Sequence, residues 1–354
     1  MISNSIFVMK GKSCSSKLKS FLLVTLCLCN VTSCKSDENL QLDNPEITVN
    51  EYNIPVSDLK ARDPFIFVDK KNQCYYLYVS RFEGKKGGIY SYKSKDLLRW
   101  KENGFVFQAP DGYLGTDDFW APDIYEYKGE HYAFITVSNA AQGILRGTTI
   151  LKSTTGADGH YMPILPADQL HLMPADVQSL DGSLYVDDDG KPWMIYCVEW
   201  NGPNVENRVG EVWAQRLKED LTSLIGEAVC LFKATDAVWP VRCGADGGYI
   251  TDAPFIWKDE VTGKLIMTWS SFGFGPLYSI GQATSTNGIL GPWVHEKTPI
   301  FSDNGGHAEV FKDLQGKLKI VFHSPNEATA TIKETVTIKD IRIVDGKFES
   351  IETK

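Results

Sequence analysis

The sequence predicts an all-β protein, a five-bladed β-propeller, and three observations carry this. First, residues 179 to 200, SLDGSLYVDDDGKPWMIYCVEW, read as a β-hairpin. An apolar strand runs into the acidic turn Asp187-Asp188-Asp189-Gly190, and a second strand returns from Trp193 to Val198. Second, the same unit of polar signature, apolar strand, polar turn and apolar strand occurs five times, beginning at Ala61, Phe119, Ser179, Gly248 and Gly305. Multi-strand repeats of roughly 40 to 50 residues, here lengthened by loop insertions, mark a propeller. Third, no long amphipathic helix is written anywhere in the chain. The innermost strands of a propeller line a central channel. The residues that mark the five units, Asp63, Asp123, Asp181, Asp252 and His307, are therefore expected to converge there, although they lie far apart in sequence.

Taken in order, ARDPFIFVDKKNQCYYLYVS is the inner hairpin of blade one, and SYKSKDLLRW (91 to 100) supplies its outer strands. FWAPDIYEYKGEHYAFIT opens blade two. The hairpin at 179 to 200 is followed by GEVWAQRLKEDLTSLIG (210 to 226), the outer strands of blade three. GYITDAPFIWKDEVTGKLIMTWS and SIGQATSTNGILGPWVHE (279 to 296) do the same for blade four. GGHAEVFKDLQGKLKIVFH opens blade five, and the alternating tail ATIKETVTIKDIRIVDGKFESI completes it. In the third hairpin Asp181 begins one strand and Glu199 ends the other, so the two are expected to face each other at its open end. Asp187, Asp188 and Asp189 read as a solvated turn rather than a calcium loop.

The chain has 354 residues, 43% hydrophobic and 23% charged, which is the composition of a globular protein with an ample core. A net charge of −9 argues against nucleic acid as a partner, since a phosphate backbone needs a basic surface. Aromatic residues make up 12% of the chain, which suits propeller cores and sugar-stacking sites alike.

The first 33 residues read as a lipoprotein signal peptide. Lys10, Lys12, Lys17 and Lys19 form a basic region, and Phe21 to Cys29 is apolar but too short to span a bilayer. Val31-Thr32-Ser33-Cys34 matches a lipoprotein cleavage box, so Cys34 is expected to carry the lipid. An ordinary signal peptide cut nearby is the plainer reading. Residues 34 to 50 are then the lipidated cysteine and a tether, and 51 to 354 the propeller. The short run Lys35-Ser36-Asp37-Glu38-Asn39 resembles the surface-export signal of Bacteroidetes lipoproteins. The expected location is the cell envelope: lipid-anchored at the outer membrane, surface-exposed or facing the periplasm, with no membrane contact beyond the anchor. Of the cysteines in the body, Cys74 and Cys197 are expected to be buried thiols. Cys230 and Cys243 flank one loop and could pair. No CxxC spacing suggests zinc.

Five motifs together carry a resemblance: RDPF at Arg62, WAPD at Trp120, LDGSLYVDDDGKPW at Leu180, TDAPFIW at Thr251 and GGHAEVF at Gly305. In that order, over about 300 residues, they resemble glycoside hydrolase family 43. The resemblance implies a five-bladed propeller that removes terminal arabinofuranosyl or xylosyl units from oligo- or polysaccharides with inversion. A monomer is expected. It implies Asp63 as general base, Asp181 as the carboxylate that tunes the acid, and His307 as the central histidine. One structural Ca2+ or Na+, or a water, would sit near His307, and none would be catalytic. Where the family usually has a general-acid Glu, this chain has Asp252.

The chemistry supports such a set independently. Inverting hydrolysis needs an ionised carboxylate to activate water and a protonated carboxyl to meet the leaving oxygen, roughly 6.5–9.5 Å apart. A third carboxylate beside the acid raises its pKa by like-charge repulsion. Three readings of the acid stay open. Asp252 holds it, with a shorter arm; Glu199 holds it, entering beside Asp181; or the site is degenerate and the protein is a non-catalytic glycan-binding propeller on the cell surface. Glu309, two residues past His307, is a lesser candidate.

Further candidates have plainer alternatives. Asp123 is placed at the channel mouth, as a site residue or a strand cap. Arg62 either holds the Asp63 carboxylate or caps the blade. Trp120, Trp239 and Phe272 are candidates for stacking on sugar or for the core. Arg242 is within loop reach of substrate. His323, on the strand returning from His307, reads as a satisfied core histidine.

Overall fold

The computed structural model describes residues 51–199, 208–243, 247–327 and 332–351. The expectations for the signal peptide, the lipid at Cys34 and the tether lie outside the described residues. Five antiparallel sheets follow one another along the chain, each running in order from its innermost strand outward. Among the described residues there is no α-helix. Blade one is Phe65–Asp69, Cys74–Glu83, Lys86–Ser94 and Arg99–Gln108, with the two-residue strand Ile54–Pro55 on its outer edge. Blade two is Asp117–Tyr127, Glu130–Asn139, Ile144–Ser153 and Tyr161–Pro163. Blade three is Ser179–Val186, Pro192–Val198, Glu211–Leu217 and Leu224–Lys233. Blade four is Asp252–Lys258, Leu265–Phe272, Tyr278–Ser285 and Val294–His295. Blade five is Gly306–Lys312, Leu318–Ser324, Thr335–Val344 and Lys347–Ser350.

The second strand of each blade explains the packing. Its residues are buried on both faces, so it reads as a continuous apolar run rather than an alternation. In blade one, Tyr76 and Tyr78 enter the core shared with blade two, beside Phe119 and Ile135. Their neighbours Tyr75, Leu77 and Val79 enter the core shared with blade five, beside Phe311 and Val321. Period-two geometry thus sends alternate side chains of one strand into two different seams. Trp239 and Trp269 fill the seam between blades three and four, their rings 4.7 Å apart. Trp239 is fully buried there, so its alternative as a sugar platform is excluded. Burying a large apolar side chain contributes roughly 1.5–3 kcal/mol, and every seam holds several.

The third hairpin turns where expected. Gly190 takes φ 74°, and the Asp187 carboxylate accepts the N–H groups of Asp189 and Lys191. Blade five is built entirely from the end of the chain, so blades one and five meet without sharing a sheet. The seam is closed by a bridge between Lys60 and Thr335, by Ala61 N–H donating to the Glu334 carbonyl, and by Arg62 paired with the Glu334 carboxylate at 2.7 Å. Cys230 and Cys243 are free thiols, so the pairing considered for them is not formed.

Candidate active site

Each blade bends where its innermost strand begins. One equivalent non-glycine residue in each blade takes positive φ there: Asp63 (49°), Ala121 (47°), Asp181 (52°), Ala253 (50°) and His307 (59°), and in blade two Asp118 and Phe119 do so as well. Such angles are uncommon outside glycine and persist only where the surroundings hold them. In blades two to five the strand register also shifts at this point, which re-aims the side chains. The preceding blade pins the bend. Asp181 N–H donates to Thr136 Oγ1 (2.9 Å), His307 N–H to Ser270 Oγ (2.9 Å) and Asp63 N–H to His323 Nδ1 (3.2 Å). Ala253 N–H donates to Asp181 Oδ2 at 3.0 Å.

This geometry corrects the register expected from sequence. The equivalent residues are Asp63, Ala121, Asp181, Ala253 and His307. Asp252 stands one residue before its bend, in line with Arg62, Trp120, Leu180 and Gly306. Asp123 stands two residues after, in line with Phe65, Ser183, Phe255 and Glu309. Most residues at the bend or one before it line an open cavity of about 440 Å³; Ala121, Ala253 and Gly306 do not. Arg62, Asp63, Trp120, Asp181, Asp252 and His307 all face it, joined by Arg146, Glu199 and Tyr278. Residues farther along line a small cavity beneath, where Asp123 and Glu309 lie. Asp123 is therefore below the open cavity and not at its mouth. Burial pushes its carboxyl up to about 7, and the Tyr125 hydroxyl donates to it at 2.8 Å. Glu309 accepts the Ile66 N–H at 2.8 Å and so links blade five to blade one.

Asp63 sits among cations and donors. His307 Nδ1 is 3.1 Å from its Oδ1, His323 Nδ1 is 3.3 Å away, and Arg62 Nε lies 3.9 Å from Oδ2. Burial opposes its charge, but His307 above all holds the carboxyl well below its ordinary value. The pair acts reciprocally. Burial opposes the His307 cation, yet Asp63 and then Asp181 push the imidazole up to about 10. His323 is fully buried, with Nε2 3.0 Å from Asn326 Oδ1, as a satisfied core histidine should be.

Asp252 sits among carboxylates. Burial, then Asp181, then Glu199 push it up to about 8. The Tyr278 hydroxyl donates to its Oδ2 at 2.8 Å. Asp181 is itself raised to about 6, chiefly by burial, with its Oδ2 3.9 Å from His307 Nδ1. Glu199 shares the cavity but does not face Asp181 across the hairpin. Its N–H donates to the Gln178 carbonyl, while Leu180 pairs with Cys197. Its carboxylate accepts from Arg146 Nη1 at 2.9 Å and from Gln178 Nε2 at 3.0 Å.

Arg146 came from no motif in the sequence. It arrives on the third strand of blade two, and its guanidinium lies 4.9 Å from the centre of the Trp120 ring. Trp120 is 39% exposed and presents its ring to the cavity. Phe272 does not line the cavity. It packs against Tyr278, ring centres 5.5 Å apart. Arg242 turns instead onto Tyr249 and the Gly247 carbonyl.

No group of three or more His, Cys, Asp or Glu side chains that could hold a metal ion is present among the described residues. His307 commits Nδ1 to Asp63, and the cavity beneath, about 10 Å³, has room for about one water. A larger cavity, about 580 Å³, opens at the far end of the strands, near Lys70 and Gly129. None of the residues above lines it, so chemistry rather than size singles out the smaller one.

Residues 52–348 match the family model for glycosyl hydrolases family 43. A solved endo-arabinase from Bacteroides thetaiotaomicron VPI-5482 is 46% identical, with a TM-score of 0.75 over 84% of this chain and 99% of that one. A xylosidase/arabinosidase of Butyrivibrio fibrisolvens is 23% identical over 287 residues, 74% of this chain and 49% of its own length. An extracellular exo-α-(1→5)-L-arabinofuranosidase of Cellvibrio japonicus is 29% identical over 133 residues, 32% of this chain and 36% of its own length. The chain spans about half or less of these two curated relatives. With five blades, converging carboxyls and a family match across the whole propeller, the chain belongs to glycosyl hydrolases family 43.

Proposed function

We propose that the protein is an inverting glycosidase acting on arabinofuranosyl linkages of arabinan-type plant polysaccharides, with Asp63 as general base and Asp252 as general acid. One observation carries this reading: two carboxyls in a single cavity are pushed in opposite directions, Asp63 down by the His307 cation and Asp252 up to about 8 by burial and two carboxylates. Two titratable groups forced apart by their surroundings are what an acid and a base working at one pH require. The endo-arabinase at 46% identity supports the sugar.

In the reaction, Asp252 gives its proton to the glycosidic oxygen. The bond from the anomeric carbon to that oxygen breaks, and its electron pair stays on the oxygen. Water attacks the opposite face of the anomeric carbon and loses a proton to Asp63. The products are a free sugar of inverted configuration and a new hydroxyl end. Asp181 keeps Asp252 protonated by repulsion. Glu199 is a weaker candidate for the acid, because its carboxylate is already engaged by Arg146 Nη1 at 2.9 Å and Gln178 Nε2 at 3.0 Å. Trp120, backed by Arg146, is suited to stack on a sugar ring. A xylosyl substrate is the second reading, favoured by the name of the Butyrivibrio fibrisolvens relative.

The test is hydrolysis of linear arabinan, xylan and the nitrophenyl glycosides of arabinofuranose, xylose and galactose. Activity on arabinan is expected, with product sizes separating terminal from internal cleavage. Xylosides alone would move the substrate. No turnover on any of them would leave a glycan-binding propeller. The same reading includes a lipid on Cys34 and a place in the cell envelope. Mass spectrometry of detergent-extracted protein, with Cys34→Ala as control, tests that part.

A further inference from the structure

We propose that Tyr278 is a positioning residue for the proton donor: it fixes one oxygen of the Asp252 carboxyl so that the other presents its proton to the cavity. This rests on Asp252 as general acid. Tyr278 opens the third strand of blade four, 26 residues from Asp252, and no sequence motif contains it. Its hydroxyl donates to Asp252 Oδ2 at 2.8 Å. That leaves Oδ1 to carry the acid proton.

The ring is held on several sides. One face stacks on the buried His323, 5.6 Å between centres and 20° between planes. His323 also receives the Asp63 N–H, so one imidazole braces the tyrosine and the base together. Phe272 packs against the ring at 5.5 Å. Gly306 makes the remaining room, since a methyl group at its α-carbon would run into the Tyr278 ring. In the other blades this position carries Arg62, Trp120, Leu180 and Asp252. Blade five alone has no side chain there, and the tyrosine occupies the space.

The consequence is chemical as well as steric. While Asp252 is protonated, the tyrosine bonds to a neutral carboxyl. As the proton leaves, charge spreads over both oxygens and the same bond becomes charge-assisted, roughly twice as strong. An interaction that strengthens toward the transition state raises kcat rather than lowering KM. The other groups that act on Asp252 are Asp181 and Glu199, which favour its proton, and His307 and Arg62, which oppose it, with the thiols of Cys197 and Cys243 nearby. Tyr278→Phe removes none of them. It removes only a donor that favours the ionised form, so the proton should be held to higher pH.

The experiment is the pH profile of kcat on linear arabinan for wild type, Tyr278→Phe and Gly306→Ala, with circular dichroism to confirm folding. Tyr278→Phe should lower kcat roughly ten- to hundredfold and move the alkaline limb up by about one pH unit, with KM little changed. Gly306→Ala should push the ring off its seat and move the limb the same way. A lower kcat with the limb unmoved in both folded variants would leave Tyr278 a packing residue and overturn the proposal. Asp252→Ala on substrates of differing leaving group separates the two levels. If it spares no good leaving group, the assignment of Asp252 as acid fails first. If it does spare them while the limb stays put, only the role of Tyr278 fails.

Discussion

The two walls of the central cavity treat the same side chain in opposite ways. On the seam of blades five and one, Asp63 is met by the cations His307 and Arg62, and its own N–H is taken up by His323. On the seam of blades three and four, Asp252 is met by Asp181 and Glu199, with a single hydroxyl donor. Both carboxyls are partly buried, at or next to similar backbone bends, so burial does not separate them. The charges delivered by neighbouring blades do. A propeller suits this division of labour, because each blade brings its own strand start to the axis and can be furnished separately.

The comparison breaks most directly at Asp63. Asp63→Asn is expected to lower activity on arabinan by about a hundredfold to ten-thousandfold, because an amide cannot take the proton of the attacking water. The melting temperature should change little. Wild-type turnover in this variant would remove Asp63 from the reaction.

Changing the neighbours should move the limbs of the pH profile separately. In the wild type, Asp63 must be ionised and Asp252 protonated. Activity should therefore fall as pH rises through about 8, where Asp252 loses its proton, and persist well into acid, where Asp63 stays charged. Asp181→Asn removes a like charge from beside Asp252, so the alkaline limb should move down. His307→Gln removes the cation from beside Asp63, so the acid limb should move up. Profiles that shift on the wrong side, or not at all, would mean that the two walls are not electrically distinct. The smallest effect is expected from Phe272→Ala, which does not line the cavity and packs against Tyr278. A modest loss of kcat, with KM unchanged, would fit that place.

The fold was legible because each hairpin states its own turn and the five are phased. The outer strands read from SYKSKDLLRW, GEVWAQRLKEDLTSLIG and SIGQATSTNGILGPWVHE fall in blades one, three and four as expected. The site was half legible. Asp63, Asp181 and His307 do sit at equivalent bends. Asp123 and Asp252 do not, because a bulge at each strand start displaces the alignment and acids were matched to acids. The residue after the bend offered a better guide: Pro64, Pro122, Gly182, Pro254 and Ala308 are all small or proline. Aligning on them sets Ala121 and Ala253 at the bend and leaves Asp252 one residue before it. Arg146 and Tyr278 were missed for another reason. They come from third strands, where no motif marks them, and only the packing of one blade on the next brings them to the cavity.

The central claim is that Asp252, rather than Glu199, is the proton donor, and leaving-group dependence measures it most directly. Asp252→Ala and Glu199→Ala would each be assayed on linear arabinan and on dinitrophenyl arabinofuranoside, whose leaving group needs little protonation. Loss of a general acid costs about a hundredfold to ten-thousandfold where protonation is needed. Asp252→Ala should therefore lose that much on arabinan and far less on the dinitrophenyl substrate. Glu199→Ala, which frees Arg146 and the Trp120 wall, should weaken both substrates alike. The reverse pattern, a selective loss on arabinan in Glu199→Ala with Asp252→Ala equal on both, would contradict the account and move the proton to Glu199.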